Sequence, residues 1–400
     1  NSLLDVRDIN HKYIVVGGLK MEFFKTHKNL VTAVCAVASI AVAVVAGKDF
    51  YDFRHYQEVI IPGEGVTSTF QLSEYNENLK GTFGDTTVYV MQGEKEGGSF
   101  LVLGGTHPNE PSGHMAAITM IESGKVEAGT VYVIPRTDNS AFTHNDPQEG
   151  SPHFYHFETE SGTRQFVYGS RASNPIDQWP DPDVYTHTSG QTLSGSEMRN
   201  INRAYPGVKD GTLTEQIAYA ITNMINTLDI DMEMDLHEAS PEYPTINATV
   251  AHERAMNMAS MGILELQMAG INMSLEPSPV SLHGLTHREL GDHTNTLALL
   301  METGNPAQGR LHGKIDEALI LTGKDNCYMK ASELGYLYIP YDENGVPLEL
   351  RVGRHLQGCI EYMKAFNEVY GAEKGELIMT GIPTYEELTT GGHKLGEYLN

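Results

Sequence analysis

A histidine and a glutamate stand three residues apart in His107-Pro-Asn-Glu110, directly after an apolar run that ends in two glycines. The run over residues 99–104 predicts a buried strand, and the glycine pair predicts a sharp turn before a proline that suits the first position of a helix. His107 and Glu110 would then lie in a strand-to-helix loop, facing the crevice at the carboxyl end of the strand. Because imidazole and carboxylate both bind first-row metals, the spacing indicates part of a zinc site, which commonly has three protein ligands.

The third ligand is predicted at His237, at the end of an alternating acidic and apolar stretch that begins at Asp231. The alternation predicts a strand. Asp235 lies two residues before His237 and projects from the same side of that strand, so it is placed to hold the ring nitrogen that does not bind the metal. A polar loop explains His107 and Glu110 alone about as well, because their spacing also arises by chance. The strand-terminal His237 favours the metal site.

A group for proton transfer is predicted at Glu302, which follows the mostly apolar run 295–301 and precedes a Thr-Gly break. A carboxylate at the end of a buried strand is costly unless it has a partner or a function. We assign Glu302 as general base and acid, taking a proton from water activated by the metal and passing it to the leaving amine. The alternative is a helix-capping or salt-bridged glutamate.

These motifs, together with Arg199-Asn-Ile-Asn-Arg-Ala-Tyr-Pro-Gly207, resemble the succinylglutamate desuccinylase/aspartoacylase family, relatives of the zinc carboxypeptidases. The resemblance spans roughly residues 85–370, with the motifs in the family's order. It implies an α/β fold, a mixed sheet with helices on both faces as in the zinc carboxypeptidases. It also implies one zinc per chain, held by His107, Glu110 and His237, with Glu302 as the catalytic acid and base.

The resemblance implies further roles for polar residues of the Arg199–Gly207 motif and its neighbourhood. Asn202 and Arg203 match the family's pair that holds the free carboxylate of the substrate, and a guanidinium fork suits a carboxylate. An arginine before this pair would polarise the scissile carbonyl and stabilise the oxyanion. Arg171 and Arg199 both fit that position. We prefer Arg171 and group Arg199 with the substrate-binding residues, although each arginine taken singly is more often a solvated surface charge.

The loop over residues 282–293 precedes the Glu302 strand and is dense in histidine and charged side chains. In relatives this region closes over the substrate, which implies that Arg288 contacts a side-chain carboxylate. A second metal site there lacks ordered spacing, so a hydrogen-bonded polar lid is the preferred interpretation.

The composition favours a soluble enzyme body. A chain of 400 residues with 40% hydrophobic residues can bury a large core and still leave room for a small appendage. The formal net charge of −25 argues against nucleic acid or an anionic membrane face as a partner. The cysteines stand at positions 35, 327 and 359 without a CxxC motif, which supports neither a disulfide framework nor thiolate ligation of zinc.

The uncharged apolar segment over residues 30–47 predicts a secretory signal peptide or a short membrane anchor. Basic residues before it, and Asp49 and Asp52 after it, place the start of the chain in the cytoplasm and the catalytic body outside. Contact with a membrane is therefore predicted only through this segment. A buried core helix is the third choice, because the segment is apolar on every face.

The predicted organisation has five parts. They are an upstream segment of unknown status (1–20), the signal or anchor (21–47), a leading β segment (48–84), the zinc hydrolase domain (85–370) and a C-terminal tail (371–400).

The predicted function is zinc-dependent hydrolysis of an amide bond in a small-molecule or peptide substrate that bears a free carboxylate. The motifs favour an N-acyl amino acid deacylase. Export favours the alternative, a metallocarboxypeptidase that acts on peptides or cell-wall fragments. A non-catalytic binding module is a third hypothesis, and the presence of all three predicted ligands together with Glu302 counts against it.

Overall fold

The structure is a computed structural model that describes residues 27–146 and 149–400. The first of its two compact units ends at Tyr56, and the second runs from Gln57 to Asn400. The predicted upstream segment 1–20 lies outside the described residues, as do the first residues of the predicted signal or anchor.

The first unit contains helix α1 (Lys28–Arg54), which includes the apolar segment 30–47 and continues beyond it. Among the described helices, α1 alone is long and apolar enough to cross a membrane, a test of length and composition that signal sequences and buried core helices also pass. The sequence boundary drawn at residue 47 therefore falls inside a continuous helix.

The second unit is built on a mixed sheet that has nine strands in the described part of the chain. These strands are β1 (Ser68–Gln71), β2 (Thr87–Gln92), β3 (Lys95–Leu103), β4 (Lys125–Ile134), β9 (Met232–Ala239), β10 (Ala248–Ala251), β11 (Ser274–Pro277), β12 (Leu297–Gly304) and β13 (Ile378–Thr380). Two separate hairpins are formed by β5 (Phe154–Thr159) with β6 (Gly162–Val167) and by β7 (Val184–Thr186) with β8 (Thr192–Ser194).

The order across the sheet is β1-β2-β4-β3-β9-β12-β10-β11, and β13 pairs with β4. The central strands β4, β3, β9 and β12 run parallel to one another. Strands β1, β2 and β13 are antiparallel additions on one side, and β10 is antiparallel to β12 on the other. The central parallel strands therefore place their carboxyl ends along one edge, where ligands bind in open α/β sheets.

Helices cover both faces of the sheet, which confirms the predicted fold class. The described helices of this unit are α2 (Pro111–Ser123), α3 (Leu213–Leu228), α4 (Met256–Met268), α5 (Thr286–His293), α6 (Glu317–Thr322), α7 (Asn326–Glu333), α8 (Leu348–Lys374) and α9 (Tyr385–Thr389). Successive residues of β3 enter different cores: Phe100 and Val102 pack with α2, α4 and α8, whereas Leu101 and Leu103 pack with α3. Because side chains alternate across a strand, this apolar run is buried on both sides.

The turn from β3 into α2 follows the sequence prediction. Gly105 has a φ of +63°, a conformation that L side chains rarely adopt, and a Cβ there would also collide with the Phe142 ring. Glu110 is the N-cap residue and Pro111 begins the helix. The loop over residues 104–110 is thus fixed at both ends.

The predicted leading segment and C-terminal tail belong mostly to this second unit. Strand β13 pairs with β4, and α9 packs on α8. A capping box between Thr384 and Glu387 begins α9. Residues 378–400 are therefore ordered parts of the unit that carries the candidate site.

Candidate active site

Three strand ends deliver the predicted site residues. His107 and Glu110 lie in the loop after β3, His237 lies near the end of β9, and Glu302 lies near the end of β12. In the parallel pairing of β9 with β12, Glu302 is directly opposite His237. The parallel topology therefore brings together residues that are far apart in the sequence.

Glu110 is held between the two histidines. Its Oε1 lies 2.8 Å from His107 Nδ1, and its Oε2 lies 2.9 Å from His237 Nδ1. The other ring nitrogens face acceptors, with His107 Nε2 at 2.9 Å from Asn200 Oδ1 and His237 Nε2 at 2.7 Å from Asp235 Oδ2. All five side chains are buried. The prediction that Asp235 holds the outer nitrogen of His237 agrees with this contact.

This arrangement fits a bound metal ion. The Nε2–H of His107 donates to Asn200, which leaves its Nδ1 as an acceptor directed at the Glu110 carboxylate. Two acceptors at that distance need a proton or a cation between them. Ligand atoms of His107, Glu110 and His237 all lie within 4.8 Å of one another. Two imidazoles and a carboxylate, with the outer imidazole nitrogens hydrogen-bonded, are a donor set typical of a metal centre.

The protonation of the cluster points the same way. Burial opposes the charge on Glu110, yet His107 and His237 hold the pKa of this carboxyl well below its usual range. Burial opposes a charged imidazole at His237 as well, but Asp235 and Glu110 raise its pKa well above the ordinary value. Burial lowers the pKa of His107. The two carboxylates that flank His237 thus favour positive charge here, which a proton on the imidazole or a bound cation can supply.

Glu302 has a different environment from Glu110. It lines the same cavity, and its Oε2 is buried without a hydrogen-bond partner among the described residues. Burial is the main reason that its pKa is raised to about 8, and the nearby Glu110 charge adds to the effect. A carboxyl group with this pKa can take up and release a proton near neutral pH.

The cavity in front of these residues has a volume of about 430 Å³ and is also lined by Arg171, Asn202 and Arg203. Arg171 Nη1 lies 3.3 Å from Glu110 Oε1, and Arg203 Nε lies 3.6 Å from Glu197 Oε2. Burial lowers the pKa of Arg203. Both guanidinium groups therefore line the same open space as His107, Glu110 and His237.

Asn202 joins the cavity to the loop before β12. Its Oδ1 accepts a hydrogen bond of 3.0 Å from the backbone N–H of Thr286, and its Nδ2 lies 3.4 Å from His237 Nε2. Thr286 Oγ1 in turn donates to Asp235 Oδ2 at 2.8 Å. The side chain of Asn202 is therefore fixed in place beside the ligand His237.

Two of the predicted substrate-binding arginines do not line this cavity. Arg199 donates from Nε and Nη2 to Asp181, at 2.7 and 3.0 Å. Arg288 is paired with Asp292, one turn later on α5, and with Glu253. The guanidinium groups of both arginines are therefore already paired with carboxylates of this chain. The structure thus brings Arg171 and Arg203 to the site and leaves Arg199 and Arg288 outside it.

Sequence reasoning missed three polar residues of this site. Asn200 holds His107, and Thr106 Oγ1 donates to Asp235 Oδ1 at 2.6 Å. His287 lines the cavity, and its Nδ1 lies 2.8 Å from Ser278 Oγ. Asn200 lies inside the Arg199–Gly207 motif and His287 inside the histidine-rich loop 282–293, so both were open to assignment, but no local pattern marks Thr106.

No family model matches the chain, and no curated protein matches it. Solved structures do align. A succinylglutamate desuccinylase from Silicibacter sp. is 18% identical with a TM-score of 0.36, covering 56% of this chain and 55% of that structure. The cell shape determinant protein Csd4 from Helicobacter pylori, with a tripeptide bound, is 12% identical with a TM-score of 0.40, covering 70% and 55%. A metallo-carboxypeptidase from Burkholderia cenocepacia is 11% identical with a TM-score of 0.42, covering 80% and 68%.

The first of these structures bears a name of the family that the sequence motifs resemble. The chain spans little more than half the length of that desuccinylase. At these identities and TM-scores the likeness does not assign an activity to this chain, so the site itself has to carry the functional argument.

Proposed function

We propose that the chain is a zinc-dependent hydrolase that cleaves an amide bond in a substrate with a free carboxylate, in the manner of an N-acyl amino acid deacylase. The observation that carries this proposal is the position of Glu110 between the Nδ1 atoms of His107 and His237, with Glu302 on the wall of the same cavity. Two imidazoles and one carboxylate are a known ligand set of catalytic zinc.

His107, Glu110 and His237 would hold one zinc per chain. The bound ion supplies Lewis-acid polarisation and lowers the pKa of water. Glu302 takes the proton that water loses and returns it to the leaving nitrogen, because its carboxyl group can change protonation state near neutral pH.

Arg171 and Arg203 have different roles in this proposal. Arg171 reaches the cavity beside Glu110 and is placed to stabilise negative charge that develops on the carbonyl oxygen. Arg203 binds the free carboxylate of the substrate, assisted by Asn202. Since burial lowers the pKa of Arg203, an anionic ligand restores a favourable environment for its charge.

A metallocarboxypeptidase remains the second candidate. Glu276 lines the cavity and is exposed at its rim, on the edge strand β11. A carboxylate there could pair with the amino group of a peptide, which an acylated amino acid lacks. The tripeptide-bound Csd4 structure shows such a substrate class in a protein of similar fold.

A matched substrate panel tests the proposal. The second unit, loaded with zinc, is offered N-acetyl and N-succinyl amino acids, short peptides, and the same compounds with the carboxylate amidated. Release of a free amine that stops with chelator and returns with zinc supports an amide hydrolase. No hydrolysis of any acid substrate by the zinc-loaded protein would reject it, and preference for free-amino peptides would favour the carboxypeptidase.

Glu302→Gln is the sharpest variant for this test. It retains the shape of the side chain but cannot accept a proton, so the rate should fall by about two to four orders of magnitude, the size of a general-base effect. Glu343→Gln on the exposed surface is the control. Zinc content should match the wild type, and a rate within a few-fold of wild type would remove Glu302 from the mechanism.

The site also works outside the cytoplasm in this proposal. Helix α1 is preceded by Lys20 and Lys25 and contains Asp49 and Asp52 near its end, a charge asymmetry that keeps the start of a membrane segment in the cytoplasm. A reporter fused after residue 56 should be active only outside the cytoplasm. Full cytosolic activity of that fusion would reject export.

A further inference from the structure

A second cavity lies on the far side of the segment over residues 243–247. We call it the α8 groove, since α8 contributes Arg354 to its lining, and its volume is about 510 Å³. Tyr243 and Thr245 line the catalytic cavity, whereas Pro244 and Ile246 line the groove. A single stretch of chain therefore separates the two spaces, and the groove is distinct from the proposed catalytic site.

Arg354 is the one cation that lines this groove among the described residues. Its Nη1 donates to Asn247 Oδ1 at 2.8 Å, and its Nε is buried without a hydrogen-bond partner. Burial lowers the pKa of its guanidinium, and the opposing contribution comes from the phenol of Tyr385. In the described part of the chain, Arg354 forms no ion pair with a carboxylate. Asp342 also lines the groove but makes no such pair.

A guanidinium in this position is costly, because a buried charge is stable only when it is paired or well hydrogen-bonded. Asn247 offers a neutral amide oxygen that it already shares with the backbone N–H of Gly304, at 3.0 Å. Asn247 also holds a φ of 46°, a left-handed conformation that is uncommon outside glycine. The local structure thus presents Arg354 to the groove without supplying its countercharge.

The remaining walls combine apolar side chains with polar ones such as Asn272, Ser274 and Asn344. Ile246 and Val346 are buried, and Tyr338 is 63% exposed at the rim. A cleft of this size, with apolar side chains and a few polar groups fixed in its wall, is the usual form of a small-molecule site. Asp342 adds one negative charge, which favours a monoanion over a multiply charged phosphate.

We propose that the α8 groove binds a small organic monocarboxylate, whose carboxylate pairs with Arg354 and whose apolar body packs against Ile246, Val346 and Tyr338. The planar fork of arginine matches a carboxylate in two parallel hydrogen bonds. This binding site does not depend on the proposed hydrolase activity.

Benzoate and its neutral counterpart benzamide are the probes for this site. In calorimetric titration of the full chain, benzoate should bind and raise the melting temperature, because a ligand that binds only the folded state stabilises it. Benzamide has the same shape without the charge and should do neither. Arg203→Ala, which removes a cation from the catalytic cavity, should leave benzoate binding to the groove intact.

Two opposite variants locate the binding. Arg354→Gln removes the cation, and Asn247→Asp supplies a carboxylate where the amide oxygen now contacts Nη1. Each should weaken benzoate binding by roughly tenfold or more, equivalent to about 1.4 kcal/mol or more. Asn247→Asp should also raise the melting temperature without ligand, which a misfolded variant would not do.

Benzoate affinity unchanged in both variants would overturn the proposal. So would equal binding of benzamide, since the carboxylate would then be irrelevant. Inorganic phosphate that binds at Arg354 while benzoate does not would replace the carboxylate site with a general oxyanion site.

Discussion

Two arginines from the first turns of α8 lie in different electrostatic surroundings. Arg351 is fully buried and donates to Glu238 Oε1 at 2.6 Å, beneath the end of β9. Arg354, three residues later, lines the α8 groove and has no carboxylate partner among residues 27–146 and 149–400. Arg351 therefore has a carboxylate partner within the protein and Arg354 has none in the described part of the chain.

The comparison of Arg351 with Arg354 distinguishes an arginine that stabilises the fold from an arginine that is available to bind a ligand. Glu238 also accepts from Asn305 Nδ2 at 3.0 Å, so the pair with Arg351 is further satisfied within the protein. The cavity residues Arg171 and Arg203 fall between the extremes, with carboxylates at 3.3 and 3.6 Å but open space in front of them. An arginine that is paired with a carboxylate of the protein therefore supports the structure. An arginine without a close pair is available to bind a ligand.

The largest effect is expected from removing a proposed metal ligand, His237, which precedes Glu238 on β9. His237→Ala should reduce bound zinc from one per chain to a small fraction, because two remaining ligands rarely hold a catalytic ion. Elemental analysis after dialysis measures this, with His393→Ala as control, since His393 lies half exposed and outside the cluster. Full zinc occupancy in His237→Ala would exclude His237 as a ligand.

Arg203 tests the case of an arginine that has a carboxylate 3.6 Å away and open space in front of it. If it pairs with a substrate carboxylate, Arg203→Ala should cost about 3 to 5 kcal/mol in kcat/KM on an acid substrate, by analogy with broken buried pairs. An amidated analogue should lose much less. The two enzymes and two substrates form a double-mutant cycle, which separates pairing from general damage. Equal losses on both substrates would make Arg203 a structural residue.

Arg351 and Arg354 can be compared directly by the same substitution. Arg351→Met leaves the Glu238 carboxylate buried without its partner and should destabilise the fold by about 3 to 5 kcal/mol. Arg354→Met removes a cation that lacks a partner and should change stability by less than about 1 kcal/mol. Urea denaturation of both variants measures the difference. Similar losses would mean that Arg354 has a countercharge in solution.

Asp138 extends the comparison to a buried acid whose hydrogen-bond partners are neutral. Burial raises its pKa to about 7, although Ser173 Oγ donates to it at 2.8 Å. The unfolded chain releases this proton near pH 4 and the folded chain keeps it to about pH 7, so stability falls across that window as pH rises. Asp138→Asn should gain roughly 2 to 4 kcal/mol relative to wild type between pH 4 and 8.

Denaturation of wild type and Asp138→Asn at several pH values gives this difference directly. Ser189→Ala, a surface change, is a control for substitution as such. Parallel pH profiles for wild type and Asp138→Asn would show that Asp138 is ionised throughout.

The features of the fold and the site that could be predicted from the sequence are those that depend on local residue patterns. The ends of the strands that finish at residues 103, 239 and 304 could be recognised to within two residues because apolar runs stop at polar or glycine-rich breaks, and the mixed α/β fold follows from strands alternating with amphipathic helices. The sheet order then brings His107, Glu110 and His237 together without any further signal. Ligand geometry could be anticipated because one rigid loop carries two of the three residues.

Long-range partners could not be predicted from spacing. Arg199 and Arg171 look alike in the sequence, and only the fold shows that Asp181 occupies the first while the second reaches Glu110. That Arg354 has no carboxylate partner among the residues the structure describes is equally invisible, because it depends on which parts of the fold line the α8 groove. Pairing of charges is a property of tertiary contacts and not of local propensity.

The order of the strands in the sheet determines when, during synthesis, Glu302 can join the other residues of the candidate site. Strand β12 is inserted between β9 and β10, both of which precede it in the chain. Until it arrives, β9 and β10 each present an unpaired edge, and His107, Glu110 and His237 have no Glu302 beside them. During synthesis Glu302 therefore joins the candidate site only when the centre of the sheet closes, and the proposed hydrolysis would have to wait for that step.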